Sequence, residues 1–122
     1  MRCPCGAGEY ADCCEPLHDG ARHEQTALEL MRSRYCAYAV GNLNYVFRTW
    51  HPRSRPAQLE ADDLEWVGLD IIDTQQGTAD DSTGVVEFVA HYRYNGEPSF
   101  LRERSRFARR RERWVYVDAI DA

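Results

Sequence analysis

Residues Cys3-Pro4-Cys5-Gly6-Ala7-Gly8-Glu9-Tyr10-Ala11-Asp12-Cys13-Cys14 hold four of the chain's five cysteines, in two close pairs around a glycine-containing loop. Thiolate is a soft ligand, and four thiolates at tetrahedral geometry make a closed structural Zn²⁺ site. Gly6 and Gly8 let the loop turn tightly, so that backbone N–H groups can point at the sulfurs, and Pro4 stiffens the first pair. Cys3, Cys5, Cys13 and Cys14 are the expected metal ligands, with His18 and His23 as alternatives to Cys14. A disulfide framework suits the chain less well, because 122 residues can build a core without staples. A bridge between the neighbours Cys13 and Cys14 would also be strained. A redox pair would be expected at C-x-x-C spacing, whereas this spacing is C-x-C. Cys36 falls in a helical pattern among apolar residues and reads as a buried small hydrophobe.

Composition narrows the remaining chemistry. All fifteen basic residues are arginine. Without lysine there is no Schiff-base amine, no phosphate-loop lysine and no Ser-Lys dyad. No glycine-rich phosphate loop, HExxH or GxSxG occurs, so an enzyme here would rely on Arg, His, carboxylates, Tyr or Ser. The net charge of −5 argues against a generic nucleic-acid binder. A hydrophobic content of 43% is enough for a normal core. No apolar run is long enough to span a bilayer, and no secretory signal is expected. A cytoplasmic location is expected, in keeping with cysteines kept reduced for metal.

The elements that must position these residues divide the chain into a knuckle with its connector over residues 1–22 and an α+β domain over 23–122. A helix is predicted from about Glu24 to Val40, with Leu28, Met31, Tyr35, Tyr38 and Ala39 forming one apolar face. Gly41 should stop it, Asn42 should cap a second helix from Leu43 to Trp50, and Pro52 should forbid continuation. The period then changes to two. Strands are predicted over Leu64–Thr74, Gly84–Tyr94, Ser99–Arg109 and Trp114–Ile120. In the first, Val67, Leu69 and Ile71 share one side, and Trp66 and Ile72 the other. Asn95-Gly96 is a strong hairpin signal. Helices followed by consecutive antiparallel strands indicate an α+β fold with helices packed on one side of a curved sheet.

The cysteine string resembles the SEC-C motif, a small zinc knuckle, with a shorter spacing between Cys5 and Cys13 than that motif usually has. Further strings resemble the YchJ family, small bacterial proteins of unassigned biochemical function. They are Leu30-Met31-Arg32-Ser33-Arg34-Tyr35-Cys36-Ala37, Thr49-Trp50-His51-Pro52, Glu65-Trp66-Val67-Gly68-Leu69, Glu103-Arg104-Ser105-Arg106-Phe107 and Trp114-Val115-Tyr116-Val117-Asp118. The resemblance implies an NTF2-like (cystatin-like) fold, a cone formed by a bent sheet wrapped on helices.

Such cones often enclose a pocket. Alternation on the third strand puts Glu103 and Ser105 inward with Leu101 and Phe107. An inward carboxylate must be paired or protonated, so Arg32, or else Arg34, is the expected partner. Asp118 and His51 are candidates for the same space. These six residues form either a small-ligand pocket with acid/base groups or a structural Arg–Glu network, and the network is preferred for want of a nucleophile. Arg102, Arg104 and Arg106 form a stripe on the opposite face. The leading functional expectation is a zinc-binding interaction or adaptor module with a protein partner. The alternatives are a small-ligand binder or enzyme using the pocket, and an RNA- or ribosome-associated binder using the stripe.

Overall fold

The computed structural model describes residues 1–60 and 62–120. Helix boundaries follow from end chemistry. Thr26 Oγ1 accepts from the Glu29 N–H at 3.0 Å, and the Glu29 carboxylate accepts from the Gln25 N–H at 2.8 Å. This reciprocal cap starts the main helix at Ala27 rather than near Glu24. The elements are α1 (Glu15–His18), α2 (Ala27–Val40), α3 (Leu43–Arg48), β1 (Glu65–Gln76), β2 (Thr83–Tyr94), β3 (Glu97–Arg110) and β4 (Arg113–Ala119), with a 3-10 turn at Tyr10–Asp12. Gly41, at φ 79°, closes α2, and the Asn42 side chain caps α3 by accepting from the Tyr45 N–H. The short α1 lies where a connector was expected. Pro16 sits in its first turn, where a fixed φ helps and a missing N–H costs nothing.

The four strands form one antiparallel sheet in sequence order, β1-β2-β3-β4. Asn95 and Gly96, at φ 51° and 81°, make the tight turn between β2 and β3. On β2 the inward set runs Gly84, Val86, Phe88 and Ala90, as alternation requires. β1 departs from simple alternation. Its register shifts between Trp66 and Gly68 and again between Ile71 and Asp73. Each shift absorbs one residue and bends the strand. As a result Trp66, Leu69 and Ile71 pack on the core, whereas Val67 and Ile72 are exposed. The expected grouping of Val67 with Leu69 and Ile71 is therefore corrected: a period of two cannot hold across two bulges.

The helix face was also drawn too narrowly. On α2 the buried residues include Leu30, Met31, Ser33, Arg34, Tyr35, Cys36 and Ala37, which is most of the circumference. The sheet, α3 and the N-terminal knuckle cover it from different sides. Cys3, Cys5, Cys14 and Leu17 join Leu30, Tyr45, Val86, Phe107 and Trp114 in one continuous core. The N-terminus of α2 rests on the β1–β2 connection, where the Ala27 N–H donates to the Gly77 carbonyl at 2.9 Å. Gly77 and Gly84 press against each other there. A Cβ on Gly84 would lie 2.5 Å from the Gly77 Cα, a backbone atom that cannot move aside cheaply. Gly84→Ala should therefore destabilise the fold by about 3 kcal/mol, read by urea denaturation. A variant as stable as wild type would show that this contact does not fix the helix against the sheet.

Candidate functional site

The knuckle is folded by its own backbone. The Cys3 N–H donates to the Gly8 carbonyl at 2.7 Å and the Gly6 N–H to the Cys3 carbonyl at 2.9 Å, with Gly6 at φ 85°. This brings the sulfurs of Cys3, Cys5, Cys13 and Cys14 within 4.8 Å of one another. Three edges are 3.5 Å (Cys5–Cys13), 3.8 Å (Cys5–Cys14) and 3.9 Å (Cys13–Cys14). A regular tetrahedron of thiolates around an ion at a metal–sulfur distance near 2.3 Å has an edge of about 3.8 Å. The cluster thus fits a tetrahedral, thiophilic ion, and all five cysteines of the chain are free of disulfides.

Electrostatics point the same way. Burial pushes the Cys3 thiol up to about 12, while the hydrogen bond from the Cys14 thiol draws Cys5 down to about 5. The Ala7 N–H also favours the Cys5 thiolate. Four sulfurs this close cannot all carry charge by themselves, and a divalent cation among them removes that conflict.

Neither histidine alternative is needed. The His18 Nε2–H donates to the Ser33 carbonyl at 2.8 Å, and Nδ1 meets the Tyr10 hydroxyl at 2.8 Å. Both ring nitrogens are used, Nε2 in docking α1 on α2 and Nδ1 in holding the 3-10 turn, and burial lowers the pKa of the ring. His23 is exposed. Two residues tie the cluster to α2. Arg32 Nη1 donates to the Cys5 carbonyl at 3.2 Å, and Cys36 Sγ lies 3.6 Å from Cys3 Sγ. Cys36 is buried, as expected, but it abuts the cysteine cluster, a contact that no local sequence signal reveals.

The opposite side of α2 helps enclose a cavity of about 360 Å³. Arg34, Tyr35 and Tyr38 from α2 meet Trp50, Trp66, Phe88, Glu103, Ser105 and Tyr116 around it. Of the six expected pocket residues, the structure brings Arg34, Glu103 and Ser105 together here. Arg32 is drawn to the knuckle. The His51 backbone bonds Tyr116, and its Nδ1 accepts from the Arg53 N–H, away from the cavity. Asp118 faces outward and forms a two-pronged ion pair with Arg106. A bulge in the β3–β4 pairing between Arg106 and Phe107 sets that direction.

The expected Arg–Glu pair does not form. Glu103 accepts from the hydroxyls of Ser105 and Tyr116. Arg34 Nη1 donates to the Val46 carbonyl and Thr49 Oγ1, each at 2.8 Å. Its guanidinium stacks over the rings of Trp50 and Tyr116, 5.1 and 4.8 Å from their centroids. Among the described residues no carboxylate pairs with it. Burial pulls the Arg34 pKa down, although an arginine so held stays charged. The tryptophans and Tyr35 of this cavity were not singled out from the sequence, because dense aromatics read equally well as core.

On the outer face, Arg102 and Arg104 pair with Glu87, Arg104 also with Asp73, and Arg106 with Asp118. These cross-strand pairs neutralise the arginine stripe.

A family model described as the YchJ middle NTF2-like domain matches residues 26–119. The chain belongs to the YchJ family. A UPF0225 protein of Streptomyces coelicolor is 50% identical over 118 residues, covering 95% of this chain and 92% of the relative. One of Chromobacterium violaceum is 44% identical over 125 residues, covering 98% and 93%. The solution structure of a SEC-C motif containing protein from Rhodopseudomonas palustris superposes with a TM-score of 0.86 at 32% identity, over 100% of this chain and 99% of that one. A SEC-C motif containing protein from Psychrobacter arcticus shares the fold at a TM-score of 0.81 and 24% identity, over 100% and 84%. This YchJ chain therefore carries an NTF2-like domain, with helices packed on a four-stranded antiparallel sheet, and a cysteine cluster at its N-terminus. None of its described helices is long and apolar enough to cross a membrane.

Because the sulfurs belong to the common core, metal and cone should be linked. Removing bound metal with a chelator should lower the melting temperature of the whole protein by at least about 5 °C, a change worth about 1 kcal/mol. Calorimetry showing an unchanged cone transition would contradict this. A second expectation concerns His18. Its folded pKa lies below the ordinary value near 6.5, so the stability it confers is full above that value and is lost as pH falls below it. Imidazole NMR should find the His18 ring titrating below the ordinary histidine value in the metal-bound protein. Protonation near pH 6.5 would refute the assignment.

Proposed function

We propose that this protein is a zinc-braced binder of a small molecule. Zn²⁺ held by Cys3, Cys5, Cys13 and Cys14 plays a structural part, and the cavity beside Arg34 takes the ligand. Four sulfurs within 4.8 Å of one another complete a tetrahedral set and suit a closed zinc site better than a catalytic one, which needs an open position. A reducing cytoplasm would keep such thiols available for the ion.

One observation carries the ligand reading. Trp50 Nε1, Trp66 Nε1 and the Tyr35 hydroxyl are buried without a hydrogen-bond partner among the described residues, and all three side chains line the same cavity. Buried donors are nearly always satisfied, so a cluster of exceptions around one space points to a group that enters it. The size also falls within the usual range for small-molecule sites.

The adaptor reading leans on a different feature. Phe100 is 63% exposed, and Val67 and Ile72 on β1 are also exposed. These apolar residues would suit a protein partner, and their replacement by serine should then release that partner without touching the cavity. The RNA reading is weakened by the ion pairs that occupy Arg102, Arg104 and Arg106.

The test of the leading reading is a ligand-observed NMR screen of small aromatic and polar fragments. Ala90→Phe serves as a blocked control, since Ala90 is buried against the cavity. Fragments should bind wild type and lose at least about tenfold in affinity to the filled variant. A screen without hits, or hits indifferent to the plug, would reject the cavity as a binding site. Elemental analysis should separately find about one zinc per chain.

A further inference from the structure

We infer that the cavity selects a small planar carboxylate, an aromatic acid that carries a hydrogen-bond donor at the end remote from its carboxylate. This rests on the small-molecule reading above and adds the chemical class. The first ground is charge. Arg34 is only 5% exposed, yet among the described residues no carboxylate pairs with it. Nη1 makes the hydrogen bonds that the described residues provide, which leaves Nε and Nη2 without a protein acceptor. A planar guanidinium fork matches a carboxylate edge in shape and charge. The indole N–H of Trp50, whose ring lies against the Arg34 guanidinium, is a further donor without an acceptor among the described residues. Donors therefore dominate this end, and a cationic or purely donating ligand would leave every one of them unsatisfied.

The second ground is the position of Glu103. It reaches Arg34 only through Tyr116: Arg34 stacks on the Tyr116 ring, and Glu103 accepts from the hydroxyl at the ring's far end. Both hydrogen bonds to Glu103 fall on Oε2, so Oε1 remains an available acceptor. A phosphate dianion or a dicarboxylate would set added negative charge between one arginine and this glutamate. A monoanion with its charge at Arg34 and an O–H or N–H toward Glu103 satisfies both ends. The walls between them are aromatic and apolar, Trp66 and Phe88 among them, and favour a flat hydrophobic body.

The experiment uses the full, zinc-loaded chain labelled with ¹⁵N, and a hydroxynaphthoate whose hydroxyl lies at the opposite end of the rings from the carboxylate. Each tryptophan gives its own indole N–H signal. Trp114 Nε1 donates to the Gln25 carbonyl at 3.2 Å, outside the cavity, and serves as an internal control. The expected result is a saturable shift of the Trp50 and Trp66 signals with Trp114 unmoved. The matching carboxamide should bind at least about tenfold more weakly, and the naphthoate without the hydroxyl about threefold more weakly. Arg34→Gln should erase the preference for acid over amide. If that variant does not fold, the comparison of acid with amide in wild type decides alone. Equal binding of acid and amide would overturn the carboxylate class while leaving the cavity a binding site. Equal binding without the hydroxyl would overturn the part given to Glu103. No shift with any of the three compounds would overturn the class, and the Ala90→Phe-controlled fragment screen would then show separately whether the cavity binds anything.

Discussion

The whole molecule depends on enclosing α2. A helix buried on one face can rely on water for its other side, but from Leu30 to Ala37 only Arg32 of this helix escapes full burial. Every polar group that is drawn in must then find a partner inside. Ser33 does so through the Leu30 carbonyl and the Tyr45 hydroxyl, which in turn donates to the buried Glu24. Arg34 does so through the end of α3 and two aromatic faces. The knuckle, α3 and the sheet are thus three covers on one cylinder. The same helix presents Arg32 and Cys36 to the sulfur cluster and Arg34 and Tyr35 to the cavity. The sulfur cluster and the cavity are close neighbours because they share this helix.

Much of this was legible in the chain. The cysteine spacing pointed to the four sulfurs that the fold gathers, Gly41, Asn95 and Gly96 marked their turns through positive φ, and Asn42 marked a helix start through its capping side chain. Strand alternation placed Glu103 and Ser105 inward. What could not be read depends on contacts distant in sequence. The two bulges of β1 arise from pairing with β2, so local periodicity grouped Val67, rather than Trp66, with Leu69 and Ile71. Cys36 meets Cys3 across 33 positions. Glu103 looked as though it needed an arginine, yet two hydroxyls suffice, since a half-buried carboxylate keeps part of its hydration. Asp118 gave no local sign that a bulge would turn it outward.

The outer sheet face follows a different logic from the cavity. There, positive and negative residues stand opposite one another along the ladder: Glu87 against Arg104, and Arg106 against Asp118. The Arg106–Asp118 pair is exposed enough to contribute little stability by itself, and Glu87–Arg104 is more sheltered. Together they keep an arginine-rich strand from presenting a field of one sign, in agreement with the acidic balance of the chain. Arg34 differs from that stripe in being buried with no carboxylate paired to it among the described residues.

The sheet's two margins show how an open β-surface is kept from recruiting strangers. Along β4, the segment just after α3 lies alongside: the Tyr116 N–H donates to the Thr49 carbonyl and the His51 N–H returns the bond to Tyr116, each at 2.8 Å. The backbone at the middle of that margin, at Tyr116, is already spoken for. Along β1, the two irregularities kink the strand, and a kinked margin makes a poor template for a straight incoming chain. A cone finished in this way has little backbone left for strand addition. Growth of the sheet by accretion is blocked at both ends, and recognition falls to side chains.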